Sequence, residues 1–196
     1  MSAAQLAFVG DVHGEADYLS LMLSRLEEFD LERIVFLGDY VNRGSKSAQV
    51  VELLSQAGRS SRFTFLRGNH EQILLRALDS GDLAELLSIG GAATIASYLQ
   101  RPAHSNVLEE FRAAIPEAHM RFLRTLEDRY EGEDVVASHM PVGTRGDRRY
   151  RISGHVPVGA LPRIGRLSSS IDTGSGLPGG RLTALLWPSR TYAQTP

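Results

Sequence analysis

Cysteine is absent from the 196 residues, which excludes disulfides and thiolate ligands, so any metal must be held by oxygen and nitrogen. A positive excess is absent too. The net charge is −2, which argues against a general nucleic-acid or membrane-surface binder. No apolar stretch approaches the roughly 18 residues of a membrane span, and the N-terminal Met-Ser-Ala-Ala-Gln has no basic region leading into an apolar run. These absences point to a cytoplasmic protein. Lysine occurs once, at Lys46, a bias of genome composition rather than function. The 42% apolar and 22% charged content is that of a globular chain, and the length suits one domain over 1–196 with a real core.

Three short blocks carry the information: GDVHG at 10–14, GDYVNRG at 38–44 and GNHE at 68–71. Each follows an apolar run and precedes a stretch of helical periodicity. The pattern over 5–67 is β-loop-α-β-loop-α-β, with helices at about 15–29 and 47–57, the second stopped by Gly58. Parallel strands joined by right-handed crossovers place the following loops on one side of the sheet. Asp11, His13, Asp39, Asn69 and His70 should therefore share a rim. Residues of about 71–126 read as a helical cap, in segments 72–78, 83–87, 92–99, 105–115 and 116–126. Strands are expected at 134–138, 150–154, 167–171 and 182–186, with Gly174, Gly176, Gly179 and Gly180 marking a turn or hairpin loop. The tail from Pro188 to Pro196 is expected to lie on the surface or fray.

Two later histidines, His139 and His155, each follow or end a strand-like run. Asp11 and His13, one residue apart, can face a common point, and Asp39 can bridge two cations through its two oxygens. Asn69 adds a neutral oxygen, and His139 and His155 add nitrogens. Such a mixed set suits Mn²⁺, Fe²⁺ or Zn²⁺ rather than Ca²⁺. Two ions about 3.5–4 Å apart could share a hydroxide and polarise a phosphoryl group. A single histidine after a strand is usually structural, and His104 and His119 in the cap are read that way. The ordered blocks followed by two strand-end histidines are harder to explain without metal.

These blocks resemble the calcineurin-like metallophosphoesterases, and specifically the bacterial and phage branch of the PPP-type phosphatases. SHMPV at 138–142 and SGHVPV at 153–158 resemble the family's later histidine blocks, GGAATIASYL at 90–99 is similar to part of the bacterial cap, and IDTGSGLPGGRLTAL at 171–185 to the terminal β segment. The resemblance implies an α/β (mixed α+β) fold, a β-sandwich of two mixed sheets flanked by helices. It implies two divalent ions, Mn²⁺ first, with Asp11, His13 and Asp39 on one and Asp39, Asn69, His139 and His155 on the other. His70 would be the general acid, Arg43 a phosphate clamp, and Arg67 either a second clamp or a structural ion pair.

Two departures from the family pattern stand out. Asn42 replaces the Asp that usually orients the catalytic histidine, which should lower the His70 pKa and weaken acid catalysis. Gly154 follows His139 by only fifteen positions, so an insert carrying another phosphate-binding Arg is missing. Arg145, Arg148, Arg149 and Arg151 remain there, as a solvated basic loop or as a replacement clamp. The resulting reading is a two-metal phosphomonoesterase acting on phosphoserine or phosphothreonine in proteins, with phosphotyrosine a further candidate. The alternatives are a symmetrical diadenosine tetraphosphate hydrolase or other small-molecule phosphoesterase, and a metal-bound scaffold without turnover. The partner would be a phosphoprotein or small phosphoester, with no nucleic acid or membrane; the oligomeric state stays open.

Overall fold

The computed structural model describes residues 5–141, 143 and 146–196. In chain order the elements are β1 (Leu6–Val9), α1 (Ala16–Leu26), β2 (Arg33–Phe36), α2 (Ser47–Ala57) and β3 (Phe63–Phe65). Then come α3 (Asn69–Ser80), α4 (Ala84–Ser88), α5 (Gly91–Leu99), α6 (Val107–Ala114) and α7 (Glu117–Arg124). Last are β4 (Arg129–Glu131), β5 (Val135–Ser138), β6 (Tyr150–Ser153), β7 (Arg163–Ile164), β8 (Ser168–Ser170), β9 (Thr183–Trp187) and β10 (Tyr192–Gln194).

The strands form two five-stranded mixed sheets, ordered β10-β9-β1-β2-β3 and β4-β5-β6-β8-β7. β1, β2 and β3 run parallel, as do β5, β6 and β8, while antiparallel strands complete the edges. Alternation along each strand builds two cores. Ala7, Val9, Ile34 and Phe36 face the helices. Leu6, Phe8, Val35 and Leu37 face the second sheet and meet Val135, Ala137, Tyr150 and Ile152. A strand buried on both faces needs a continuous apolar run, which is why LAFV and IVFL were readable as strands. The architecture is the expected sandwich flanked by helices.

Several expectations need correction. The tail is not frayed at its end: β10 pairs with β9, and Thr195 is buried. The glycine-rich connection is not a β-hairpin, because β8 and β9 lie in different sheets. It is a crossover pinched by bridges from Thr173 and Gly174 to Arg181. The cap holds its five helices, but α3 starts at Asn69, not at 72. His119 is structural as expected: its Nδ1 accepts the Tyr98 hydroxyl at 2.9 Å and its Nε2 donates to Glu52 at 2.6 Å, joining α7 to α5 and α2. His104 is exposed. No helix among the described residues is long and apolar enough to cross a membrane.

Candidate metal centre

Every residue of the expected set lies beyond the carboxyl end of a parallel strand. Asp11 and His13 follow β1, Asp39 follows β2, and Asn69 and His70 open α3 after β3; His139 and His155 follow β5 and β6 of the other sheet. The sandwich thus brings both halves of the set to one rim.

Asp39 is central. Its Oδ2 stands 3.6 Å from His13 Nε2 and 3.7 Å from His70 Nε2, and its Oδ1 stands 3.4 Å from His139 Nε2. On that second side His139 Nε2, His155 Nδ1 and Asn69 Oδ1 lie 2.9–3.0 Å from one another. Three such atoms at this separation converge as ligands of one cation do. Two compact groups could hold an ion, His13/Asp39/His70 and Asp39/His139/His155. Asp11 lies at the edge of the first, 3.8 Å from His13 Nε2, and accepts the His155 backbone N–H at 3.1 Å.

Tautomers are set from behind. His13 Nδ1 meets the Val41 carbonyl at 3.1 Å and His139 Nδ1 the Leu37 carbonyl at 3.0 Å. A carbonyl only accepts, so both Nδ1 atoms carry hydrogen and both Nε2 lone pairs face the centre. His13 Nε2 is buried with no hydrogen-bond partner, a costly arrangement that a cation would relieve. Electrostatics agree. Burial and the Asp172 carboxylate hold Asp11 well above the usual carboxylate range, and burial with Asp11 does the same to Asp39. Burial and Arg43 push His13 far down, and burial with His155 lowers His139 to about 3. The imidazoles resist becoming cations and the carboxylates resist becoming anions without positive charge beside them. The donor set fits divalent metal.

The backbone around the centre is strained. Seven non-glycine residues have positive φ among the described residues, and His13, Asp39, Asn42, Arg43 and His155 are five of them. Each left-handed residue costs roughly 1–3 kcal/mol, and such residues gather at functional sites. Glu71, unnoticed as a site residue in the sequence, holds much of this loop. Its buried carboxylate accepts the backbone N–H groups of Asp39, Tyr40, Val41 and Gly68 at 2.7–3.2 Å. The bond to Gly68 also caps α3, so Asn69 and His70 occupy its first turn. Glutamate three residues after a helix-opening glycine was the available signal. Gly68 itself is required, because a Cβ there would overlap Asp39 Oδ1 and N.

Asn42 Nδ2 contacts His70 Nδ1 at 2.8 Å, as its position in the motif suggested. Burial and Arg43 lower the His70 pKa to about 4. Arg43 Nη1 is buried without a partner. Arg67 lines a cavity beside Asn69 and His139; Nη2 donates to the Leu126 carbonyl at 2.7 Å, Nη1 pairs with Asp128 at 3.2 Å, and Nε is buried without a partner. The ion pair of the second alternative is thus present. Arg149 is paired with Asp147 and Glu131, each at 2.7 Å. Arg148 is exposed and Arg151 lies on β6; Arg145 lies outside the described residues. Asp172 was also missed: one oxygen takes the Gly174 N–H at 2.8 Å, while Oδ2 is buried and unpaired.

A family model described as calcineurin-like phosphoesterase matches residues 4–159. The chain belongs to that family. This metallophosphoesterase is a hydrolase of phosphoesters, and the family uses a dinuclear divalent metal centre. It is 38% identical to serine/threonine-protein phosphatase 2 of Escherichia coli over 42% of this chain, and spans only 37% of that relative. It is 26% identical to bis(5'-nucleosyl)-tetraphosphatase PrpE [asymmetrical] of Halalkalibacterium halodurans, covering 98% of this chain and 94% of the relative. A solved structure proposed to be a diadenosine tetraphosphatase superposes with a TM-score of 0.70 at 21% identity, covering 100% of this chain and 94% of the other. At that identity the last likeness concerns the fold.

Proposed function

We propose that this metallophosphoesterase removes single phosphoryl groups from serine or threonine side chains of proteins, with Asp11, His13, Asp39, Asn69, His139 and His155 holding two divalent ions. One observation carries the metal-and-phosphate part: two buried nitrogens of opposite need lie at the same rim. His13 Nε2 has a lone pair without a donor, and Arg43 Nη1 has N–H groups without an acceptor. A cation satisfies the first and a phosphate oxygen the second. Bound divalent ions would supply a water-derived nucleophile and neutralise charge on the phosphoryl oxygens. Mn²⁺ is the first candidate among the ions this donor set suits.

The chain's own residues divide the remaining work. Arg43 grips and orients the phosphoryl group, for which a guanidinium fork is well shaped. His70, in the first turn of α3, donates a proton to the departing alkoxide, a contribution of about 10²–10⁴-fold. Glu71 and Gly68 keep Asp39 and His70 in register. Arg67 supports the rim through Asp128 and Leu126.

The full-length likeness to the PrpE relative favours a second reading, hydrolysis of a dinucleoside tetraphosphate. That relative is designated asymmetrical, whereas the sequence suggested the symmetrical type. Against it, the sequence shows no obvious aromatic platform for adenine near the site. Steady-state kinetics on Mn²⁺-loaded protein decides between them. A higher kcat/KM for phosphopeptides supports the first reading. A higher value for diadenosine tetraphosphate, with ATP and AMP as products, replaces it with the second.

A further inference from the structure

We infer that Thr94, in the helical cap, is a positioning residue that determines which nitrogen of His70 carries hydrogen at the metal centre. Thr94 is fully buried on α5. Its Oγ1 accepts the backbone N–H of Asn42 at 2.9 Å and lies 2.7 Å from Asn42 Oδ1 and 3.0 Å from Ser47 Oγ. A hydroxyl has one hydrogen to give. The shortest of these contacts directs it to Oδ1, which turns the oxygen end of the Asn42 amide towards the cap. The NH₂ end then faces His70 Nδ1, 2.8 Å away.

An amide nitrogen can only donate, so His70 Nδ1 must receive. The hydrogen of the neutral ring is thereby placed on Nε2, which lies 3.7 Å from Asp39 Oδ2 at the centre. An aspartate at position 42 would do the reverse, accepting hydrogen from Nδ1. Two consequences follow. His70 presents an N–H to the rim, and the same hydrogen prevents Nε2 from serving as a metal ligand, although its position would otherwise qualify it. Thr94 thus separates the proton donor from the ligand set without touching either metal or substrate. The cap is also tied to the first turn of α2, since Ser97 Oγ accepts the Ala48 N–H at 3.0 Å.

The catalytic meaning rests on the proposed role of His70 as proton donor; the assignment of the hydrogen does not. The test is imidazole ¹H–¹⁵N correlation on the full chain loaded with diamagnetic Zn²⁺, with His70→Asn identifying the His70 signals. Wild type and Thr94→Ser should both show hydrogen on Nε2, whereas Thr94→Val, which keeps the shape but lacks the hydroxyl, should show hydrogen on Nδ1 or a mixture. In parallel, Thr94→Val should lower kcat about 10-fold with KM changed less than twofold, and Thr94→Ser should restore it. Hydrogen on Nδ1 in the wild type overturns the inference even if Thr94→Val does not fold. A wild-type pattern in folded Thr94→Val also overturns it. If His70→Asn retains full kcat while the Nε2–H pattern holds, the proton-donor reading fails and the Thr94 assignment stands.

Discussion

At Arg43 a terminal guanidinium nitrogen is buried with nothing to bond, whereas at Arg67 both terminal nitrogens are engaged and only Nε lacks a partner. The two arginines of the phosphatase blocks should therefore behave differently. Arg43→Ala removes a charge-assisted contact of roughly 1.5–3 kcal/mol, so kcat/KM for an aryl phosphate should fall about 10–100-fold. Arg67→Ala should change kcat/KM less than about 3-fold and lower the melting temperature instead; steady-state kinetics beside thermal melting separates the two. Asn42→Asp gives a pH prediction. Burial and the Arg43 charge already depress His70, and an amide offers its protonated form no compensating charge. A carboxylate would. In the wild type the neutral ring donates from Nε2, and the doubly protonated ring that a carboxylate would favour is a stronger acid. Asn42→Asp should therefore gain a kcat/KM limb that falls as pH rises through the raised His70 pKa. An unchanged profile would show that residue 42 does not tune His70. Asp39, His13 and the later histidines were legible from residue type and motif order. The partners that fix their tautomers were not, because the Val41 and Leu37 carbonyls are backbone groups placed only by folding.

Among the elements, α2 was readable to its ends, Ser47 and Ala57, because its apolar stripe stops at a glycine. α3 was not. Its first turn carries Asn69 and His70, polar residues that periodicity assigns to a preceding loop. What makes them helical is the Glu71 carboxylate, which binds the N-cap and three amides of a loop some thirty positions earlier. In Glu71→Gln an NH₂ would replace one oxygen and strand two of these buried donors, costing about 2–6 kcal/mol. The melting temperature should fall and the Mn²⁺ affinity with it. A variant melting like wild type would mean that Glu71 is not what holds the loop. The missed strands have a different cause. β4, β7 and β10 have only two or three residues each and lie at sheet edges, where one-sided burial leaves little pattern. The glycine-rich crossover looked like a hairpin loop because turn residues do not report which sheet the next strand joins.

For the molecule as a whole, the centre exists only where two sheets meet. β1, β2 and β3 lead to one group of ligands, and β5 and β6 to the other. Metal should therefore fasten the sandwich as well as complete the site. At a free concentration 100 times Kd, ligand binding to the folded state stabilises it by about 2.7 kcal/mol. For a chain of this size that is a rise of roughly 5–10 °C in melting temperature. Scanning calorimetry with and without Mn²⁺ should show this rise in the wild type and a much smaller one in Asp39→Asn, which loses the group shared by both halves. Phosphate release from Mn²⁺-loaded protein is the decisive measurement for metal-dependent phosphoester hydrolysis at this centre. A phosphopeptide library and diadenosine tetraphosphate would be compared under identical conditions, with Asp39→Asn as the blank. Release should depend on metal, vanish in Asp39→Asn and proceed with higher kcat/KM on phosphopeptides. Release that persists in Asp39→Asn, or none from any substrate with both ions bound, would contradict the metal-centre mechanism, and higher kcat/KM on diadenosine tetraphosphate would contradict the phosphopeptide reading.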